Sequence, residues 1–181
     1  TYYRSNRVVK KGNNIGKSKS DKFIDAALSG RSGSDTKVGS TGVMEVVRYD
    51  PIEIEGLDWC MITSGSIEQV VSPTLEGDSE DILTKYNNSK GFYDLFLISP
   101  AGDCYYSVAK EAVYHTNLID GEYKDTNLGR LIQEIVATKS FGFADFEPYA
   151  PSDGLPSAFI ALPILHEGEI EQIVGLQINL D

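Results

Sequence analysis

Aromatic rings and carboxylates alternate along one segment of the chain, FGFADFEPY at 141–149. The side chains of a strand point to its two faces in turn. One face would therefore carry Phe141, Phe143, Asp145, Glu147 and Tyr149. A carboxylate between rings can hold an ammonium group by charge, and the rings add a cation–π attraction of about 0.5–2 kcal/mol. The pattern predicts a binding surface for a small molecule.

Two further tyrosines, Tyr106 and Tyr123, lie in segments that could close this surface from the opposite side. A ligand pocket needs mostly apolar walls and a few convergent polar groups, which such an arrangement would supply. The alternative interpretation is structural: Asp145 pairs with Arg130 or a backbone amide, and the rings fill the core. Both interpretations stay open at the level of the sequence.

The residue types that carry catalysis occur here outside any catalytic motif. His115 and His166 stand in no HExxH or CxxC-type pattern, so no metal site is predicted. Cys104 has no histidine or asparagine at a motif distance, and no Gly-x-Ser-x-Gly elbow occurs. The segment at 10–22 has Lys11 where a phosphate-binding loop needs glycine, which favours a basic surface loop. We expect neither an enzyme nor a cofactor.

Hydrophobic periodicity predicts the elements that must position these side chains. A helix begins at Asp125, with apolar residues recurring at spacings of three and four, and a shorter one, 79–86, begins at Ser79. The turn at 99–103 contains proline and glycine and joins two strands into a hairpin. The predicted strands are 93–98, 104–110, 141–149, 158–165 and 172–180. This order predicts an α+β fold with a five-stranded antiparallel sheet and flanking helices, similar to PAS domains.

The last predicted strand has two unlike faces. One face is mixed, with Ile173, Gly175, Gln177 and Asn179. The other is wholly apolar, with Val174, Leu176, Ile178 and Leu180. Such a contrast is typical of a strand in which only the apolar face is buried.

Short sequence matches recur at an offset near 100 residues, which predicts a tandem of two related domains. The matched pairs are Tyr2-Tyr3 with Tyr105-Tyr106, the helix at Asp21 with that at Asp125, Tyr49-Asp50-Pro51 with Tyr149-Ala150-Pro151, Gly56-Leu57 with Gly154-Leu155, and IEQVV (67–71) with IEQIV (170–174). The earlier copy lacks counterparts of the first helix and first hairpin strand. We therefore expect a partial copy at 1–71 and a complete domain at 72–181, within a fragment of a larger protein.

Charge and composition exclude several partners. Residues 1–75 carry ten Lys/Arg and nine Asp/Glu, whereas residues 76–181 carry six and 18. The net charge of −11 argues against a nucleic-acid partner. No apolar run approaches the roughly 18 residues that a membrane-spanning helix needs. The two cysteines, Cys60 and Cys104, are too few for a disulfide scaffold, and two buried thiols are favoured over one bridge.

The segments at 93–131 and 141–165 resemble the extracytoplasmic Cache (PDC-type, PAS-like) sensor domains of bacterial methyl-accepting chemotaxis receptors and sensor histidine kinases. LSGRSGS and YDPIEIEGLDWCMI, within 28–62, resemble the closing half of another such domain. The resemblance implies a ligand between the concave face of the sheet and the layer of loops and helix. It makes Tyr106, Tyr123, Asp145 and Tyr149 the first candidates for ligand contacts.

The resemblance also implies a function: a periplasmic or extracellular sensor region that binds a small molecule and transmits a conformational change through a membrane-anchored receptor. An amine, an amino acid and a carboxylate all stay open as ligands, as does homodimerisation. The tyrosine–arginine–tryptophan pattern of amino-acid-binding members is missing from the sequence. Two alternatives are a Cache-type spacer or dimerisation module without a ligand, and a small hydrolase or transferase.

Overall fold

The computed structural model describes residues 18, 20–39 and 43–180 and divides the chain into two compact units. The first unit comprises Thr1–Val38 with Glu45–Gly65, and the second comprises Gly39–Met44 with Ser66–Asp181. The boundary thus falls between Gly65 and Ser66, whereas the sequence placed it after residue 71. This division concerns compactness alone, so the interpretation of the units as Cache-like modules stays a prediction.

The described residues of the first unit form one helix and a three-stranded antiparallel sheet in the order β1-β2-β3. Helix α1 (Lys22–Leu28) begins after Asp21, whose Oδ1 accepts hydrogen bonds from the N–H groups of Phe23 and Ile24. The strands are β1 (Gly33–Val38), β2 (Met44–Ile54) and β3 (Leu57–Ser66). The sequence predicted no strand at β1, because GSDTKV contains a single large apolar residue and shows no alternation.

The second unit begins with two helices, α2 (Ile67–Val71) and α3 (Ile82–Lys90). Ser79 was predicted to cap the second of these, but the cap is Asp81, whose Oδ1 accepts from the N–H groups of Leu83 and Thr84. Two strands, β4 (Asp94–Ile98) and β5 (Cys104–Ser107), follow and pair as the predicted antiparallel hairpin.

Helix α4 (Asn127–Thr138) comes next, after a loop of 19 residues at 108–126. Its N-cap is Thr126 instead of the predicted Asp125, since the Thr126 hydroxyl accepts from the N–H of Gly129 at 3.1 Å. Three strands complete the unit: β6 (Gly142–Tyr149), β7 (Leu155–His166) and β8 (Glu169–Asn179). A single 3₁₀ turn, Ala150–Ser152, separates the first two of them.

The five strands form one antiparallel sheet in the order β5-β4-β8-β7-β6, which confirms the predicted α+β fold with its five-stranded sheet and flanking helices. The final strand of the chain therefore lies at the centre of the sheet. It is joined to β7 by Glu167 and Gly168, which both have positive φ (51° and 82°) and form a two-residue turn. His166, the last residue of β7, is exposed beside this turn.

The sheet of the second unit has two faces with separate apolar clusters. The α4 face packs against α4 and the preceding loop, and buries Phe96, Ile98, Cys104, Val113, Leu118, Leu128, Leu131, Ile132, Ile135, Tyr149, Phe159, Ala161 and Ile173. The α3 face packs against α2 and α3 and buries Leu95, Leu97, Tyr105 and Tyr106. The predicted hollow on the concave face is thus occupied, over much of its area, by the protein's own side chains.

The secondary structure of the matched segments can be compared with the predicted sequence repeat. Each unit contains a helix followed by three sequential antiparallel strands, and the tandem of related domains stays a prediction. The match between 67–71 and 170–174 pairs unlike elements, because IEQVV is a helix and IEQIV lies in a strand. Tyr2-Tyr3 and most of the predicted basic loop at 10–22 lie outside the described residues.

Two further features bear on the expected chemistry. Both cysteines are free thiols: Cys104 is buried, as expected, but Cys60 is only half-buried. Within 20–39 and 43–180, no helix is both long enough and apolar enough to cross a bilayer. In the same part of the chain, no three His, Cys, Asp or Glu side chains come together in a group that could hold a metal ion.

Candidate functional site

Tyr106 lies on the α3 face and is 3% exposed. Its hydroxyl donates to Asp81 Oδ1 at 2.6 Å and lies 3.2 Å from Thr84 Oγ1, and Ser72 also donates to Asp81. Burial alone would raise the pKa of Asp81, but the hydrogen bonds from Ser72, Tyr106 and Thr84 outweigh it and hold that pKa well below its ordinary value. Tyr106 therefore anchors the first turn of α3 to β5.

A β-bulge separates Asp145 from Glu147 and Tyr149, two of the side chains that were expected to share its face. Ala144 pairs with Phe159 on β7, but the next paired residue is Glu147, opposite Ser157. The extra residue reverses the alternation of faces, so Asp145 is exposed while Tyr149 is buried. Asp145 Oδ1 accepts from the N–H of Phe146 at 2.8 Å. The prediction of one continuous face along 141–149 was wrong.

Arg130 pairs with Glu147, and the predicted alternative of an Arg130–Asp145 pair is not formed. The Arg130 guanidinium donates to both carboxylate oxygens of Glu147 at 2.7 Å, and to the carbonyl oxygen of Asp125 at 2.5 Å. Both charged side chains are about half exposed (52% each), so this ion pair adds little stability.

Tyr149 and Tyr123 both lie on the α4 face. Tyr149 is fully buried, with its ring 4.8 Å from the ring of Phe159 in an edge-on arrangement, and Tyr123 is half-buried against the same cluster. Of the four predicted ligand contacts, the structure thus brings together only Tyr123 and Tyr149. Tyr106 lies on the opposite face of the sheet, and Asp145 faces solvent.

A group of polar side chains lies where the α4 face reaches the end of β8. Gln177, at the centre of the sheet, stands directly opposite Asp94 of β4 and Phe159 of β7. We call this group the polar cluster; it consists of Asp94, Glu111, Tyr149, Ser152, Ser157, Gln177 and Asn179. Most of its members are fully or almost fully buried, with 0–3% of the side chain exposed for Asp94, Tyr149, Ser152, Ser157 and Gln177.

Gln177 holds the cluster together through the nitrogen of its side-chain amide. Nε2 contacts Ser152 Oγ at 2.9 Å, Ser157 Oγ at 3.1 Å and Asn179 Oδ1 at 2.9 Å. The Ser157 hydroxyl lies 2.8 Å from Asn179 Oδ1, so that oxygen is already an acceptor. The Ser152 hydroxyl donates to Glu111, so Ser152 Oγ must accept from Gln177, which places Nε2 and not Oε1 at that position.

Glu111 continues the network into the loop between β5 and α4. One carboxylate oxygen accepts from Ser152 Oγ and the other from Tyr93 Oη, both at 2.5 Å. The hydrogen bond to Glu111, together with burial, raises the pKa of Tyr93 to about 12. Through these bonds the central strand, the 3₁₀ turn and the loop share one connected set of polar groups.

Asp94 closes the cluster on the side of the hairpin. Its carboxylate accepts from Ser107 Oγ at 2.7 Å and from the N–H groups of Leu95, Val108 and Ala109 at 2.7, 2.7 and 3.0 Å. Burial raises the pKa of Asp94, against the opposing effect of these hydrogen bonds. Asp94 thereby shapes the turn that leads from β5 into the loop.

Two buried polar atoms of the cluster have no hydrogen-bond partner: Gln177 Oε1 and Tyr149 Oη. Buried polar groups are nearly always paired, and leaving one unpaired costs about 1–3 kcal/mol. Burial also raises the pKa of Tyr149, so its hydroxyl stays protonated and can both donate and accept. The chain therefore leaves the hydrogen-bonding capacity of these two atoms unused.

Similarities to known proteins are confined to solved structures. The extracellular domain of mmHK1S-Z3, described as a histidine kinase, aligns over 88% of this chain with a TM-score of 0.44 and 17% identity. Methyl-accepting chemotaxis protein X aligns over 88% with a TM-score of 0.45 and 12% identity. This chain spans about half the length of each, 53% and 55%. No protein-family model and no curated protein matches the chain.

The two solved structures are named as a histidine kinase and a methyl-accepting chemotaxis protein. The candidate residues, in contrast, come from this chain's own geometry. Sequence reasoning missed Gln177, Ser152, Ser157 and Glu111, although a signal existed in the mixed face of the last strand. That face was expected to be the less buried one, yet Ile173, Gly175 and Gln177 are buried and their apolar neighbours are only partly so.

The remaining chemically competent groups in the second unit are not activated. Burial raises the pKa of the Cys104 thiol, so that the thiolate is disfavoured. His115 has its Nε2 4.0 Å from Glu68 Oε1 and its ring stacked on Tyr114, and burial lowers its pKa. Neither group is hydrogen-bonded to a nucleophile. These contacts are those of packing residues.

Proposed function

We propose that the second unit is the ligand-sensing domain of a bacterial transmembrane signalling receptor, on its periplasmic or extracellular side. The sequence resemblance to Cache domains and the strand order β5-β4-β8-β7-β6 support this proposal. The single observation that carries it is the pair of unsatisfied buried atoms, Gln177 Oε1 and Tyr149 Oη. A small polar molecule that reached either atom would satisfy it.

The network around these atoms suggests how binding would change the domain. Gln177 contacts Ser152, and Ser152 contacts Glu111 in the loop before α4, so a ligand on Gln177 acts on three segments at once. A ligand shifts a conformational equilibrium only if it binds one state better than the other. We expect the bound state to hold the loop and the 3₁₀ turn against the end of β8, and the receptor to read that change.

Thermal unfolding with a panel of small amines, amino acids, carboxylates and purines tests the proposal. A ligand at one hundred times its Kd stabilises the folded state by about 2.7 kcal/mol, enough to raise Tm by several degrees. Tyr149→Phe should reduce the response, because it removes one of the two unpaired atoms. Tyr105→Phe is the matched control, since that hydroxyl donates to Gln172 on the α3 face. Turnover of a panel member without stabilisation would favour an enzyme instead.

A second candidate function is a spacer or dimerisation module that binds no ligand. It is favoured by the 13 buried residues that fill the space between the sheet and α4, Tyr149 among them. Under this alternative, the two unpaired atoms are satisfied by water, and no member of the panel changes Tm. A concentration-dependent Tm with an unchanged response to every ligand would identify the dimerising form.

A further inference from the structure

A groove of about 520 Å³ lies on the α3 face, on the other side of the sheet from the polar cluster. Residues of α2 and α3 line one side of it, and residues of β4, β8 and β7 form its floor. Six of its eight lining residues are aliphatic: Val71, Leu83, Leu95, Leu97, Ile164 and Val174. A mostly apolar concavity of this volume is typical of sites that hold small molecules. We call it the α3 groove.

The α3 groove keeps apolar surface in contact with solvent. Leu95 and Leu97 on its floor are 3% exposed, but Ile164 is 44% and Tyr86 is 49% exposed. Each methylene group of a ligand that is buried on such a surface strengthens binding about four-fold. The lining therefore favours a molecule with an aliphatic chain.

Gln172 brings a hydrogen-bond donor into the α3 groove. Its Oε1 accepts from the Tyr105 hydroxyl at 2.6 Å, and its Nε2 forms no hydrogen bond with another described residue. If O and N were exchanged, the hydroxyl hydrogen of Tyr105, a side chain that is only 6% exposed, would lose this acceptor. The group that Gln172 leaves free is therefore an N–H donor, which suits an acceptor oxygen on the bound molecule.

The charge at the α3 groove suits an anion. None of its eight lining residues is charged, although residues 76–181 carry 18 Asp/Glu and only six Lys/Arg. Lys90 lies one turn of α3 beyond Tyr86, with its Nζ 5.7 Å from the centre of the Tyr86 ring. It forms no ion pair with another described residue, whereas Lys85 on the same helix pairs with Asp78. An unpaired ammonium group thus lies beside an apolar groove that contains no carboxylate.

We infer that the α3 groove binds a small aliphatic carboxylate, with its chain against the aliphatic side chains and its carboxylate on Gln172 Nε2. Lys90 attracts the anion through its charge, an effect that acts over about 10 Å at moderate salt and needs no direct contact. This inference goes beyond the proposed function, because the groove and the polar cluster share no residue and lie on opposite faces of the sheet.

Isothermal titration calorimetry of the full chain with a set of related probes tests the inference. Octanoate has both the chain and the carboxylate. Octylamine replaces the carboxylate by an ammonium group, octan-1-ol is uncharged, and acetate has no chain. We expect octanoate to bind more tightly than each of these three. Hexanoate should bind about ten-fold more weakly than octanoate, because it buries fewer methylene groups.

Two substitutions locate the site. Gln172→Glu keeps an acceptor for Tyr105 but places an anionic oxygen where Nε2 was, so the Kd of octanoate should rise by more than about ten-fold. Lys90→Gln is an exposed change that should raise this Kd about three-fold, and the increase should shrink at high salt. Lys85→Gln is the matched control on the same helix, since its charge is already paired with Asp78, and it should leave the Kd unchanged.

The opposite results overturn the inference. Octan-1-ol or octylamine binding as tightly as octanoate would show that the carboxylate is not recognised, and acetate doing so would show that the chain is not. A Kd of octanoate that rises in Tyr149→Phe and not in Gln172→Glu would place the carboxylate at the polar cluster, which would support the sensing function instead. No binding of octanoate would overturn this inference alone, since the panel and Tyr149→Phe test the proposed function separately.

Discussion

The first and second units both place a helix before three antiparallel strands, yet they bury their strands to very different extents. All nine residues of β4 and β5 in the second unit are buried. In the first unit, β1 has no buried residue, and Trp59 and Met61 of β3 are 55% and 49% exposed. The difference shows that a helix and three strands do not by themselves make a core. The hairpin β4–β5 places the last strand in the interior of the sheet, where both of its edges are paired.

The helices do not show this contrast. Four of the seven residues of α1 are buried, and six of the 12 residues of α4. The polar interior does differ. The second unit buries a connected set of polar groups, while the ion pairs of the first, such as Arg48–Asp50, lie largely at its surface.

The largest expected effect concerns the local stability of the two sheets. We expect backbone amides of β4 and β8 to exchange with solvent on the order of a thousand-fold more slowly than those of β1, because buried central strands open only with the whole unit. Native-state hydrogen exchange read by mass spectrometry measures this ratio. The edge strand β6 serves as a control of intermediate protection. Equal rates in β1 and β4 would remove the contrast between the units.

Next in size is the loss of Asp94. Asp94→Ala should lower the free energy of unfolding by about 3 kcal/mol, because it leaves several buried donors without an acceptor. Asp94→Asn should cost much less, since one amide oxygen can replace Oδ1 and the NH₂ group can donate to Ser107 Oγ. Asp50→Ala in the first unit, which removes a surface ion pair, should stay within about 0.5 kcal/mol of the wild type. Urea unfolding followed by circular dichroism measures the free energy of unfolding of the three variants. Equal losses of stability in Asp94→Ala and Asp94→Asn would contradict the role of Asp94 as a buried hydrogen-bond acceptor.

The N-caps of α3 and α1 provide a smaller contrast. Asp81→Ala should cost about 2 kcal/mol, since this carboxylate caps the helix and also accepts from Tyr106 and Ser72. Asp21→Ala should cost about 1 kcal/mol, the usual value for a helix cap. The same unfolding measurement compares them. A larger loss of stability in Asp21→Ala than in Asp81→Ala would show that the bonds from Tyr106 and Ser72 to Asp81 add nothing to its role as a helix cap.

The smallest expected effect is a change in the free energy of unfolding with pH. This change has opposite signs for Asp81 and Asp94. The pKa of Asp81 is lowered by folding, so its contribution to stability is present above about pH 3.8 and is lost as the pH falls further. The stability gap between the wild type and Asp81→Asn should therefore narrow below pH 4. The pKa of Asp94 is raised by folding, so its ionisation opposes folding as the pH rises above 3.8. The stability of Asp94→Asn relative to the wild type should therefore increase above that pH.

Unfolding midpoints between pH 3 and pH 7 measure both trends. Asp35 of the first unit is the control: its pKa is lowered through Lys22, but it lies in solvent, so Asp35→Asn should follow the wild type closely. Parallel curves for the Asp81 and Asp94 variants would contradict the opposite signs.

The fold of the second unit could be predicted from local patterns, and the candidate site only in small part. Periodicity located α4, and the Pro-Gly turn located the β4–β5 hairpin, because both signals act over a few neighbouring residues. Tyr149 was among the predicted site residues and is in the polar cluster. Tyr106 was predicted on the wrong face of the sheet, because the local sequence at 93–110 does not determine on which face its side chain lies.

The order of helices and strands, the strongly acidic character of residues 76–181 and the lack of any catalytic motif were determined by the sequence itself, since each depends on local or summed properties. Only the tertiary structure decided which side chains meet. The bulge between Ala144 and Glu147 reversed one strand's faces, and pairing on both sides of β8 turned its mixed face inward. Both events depend on partners distant in the chain, and a one-residue shift in register moves every later side chain to the other face.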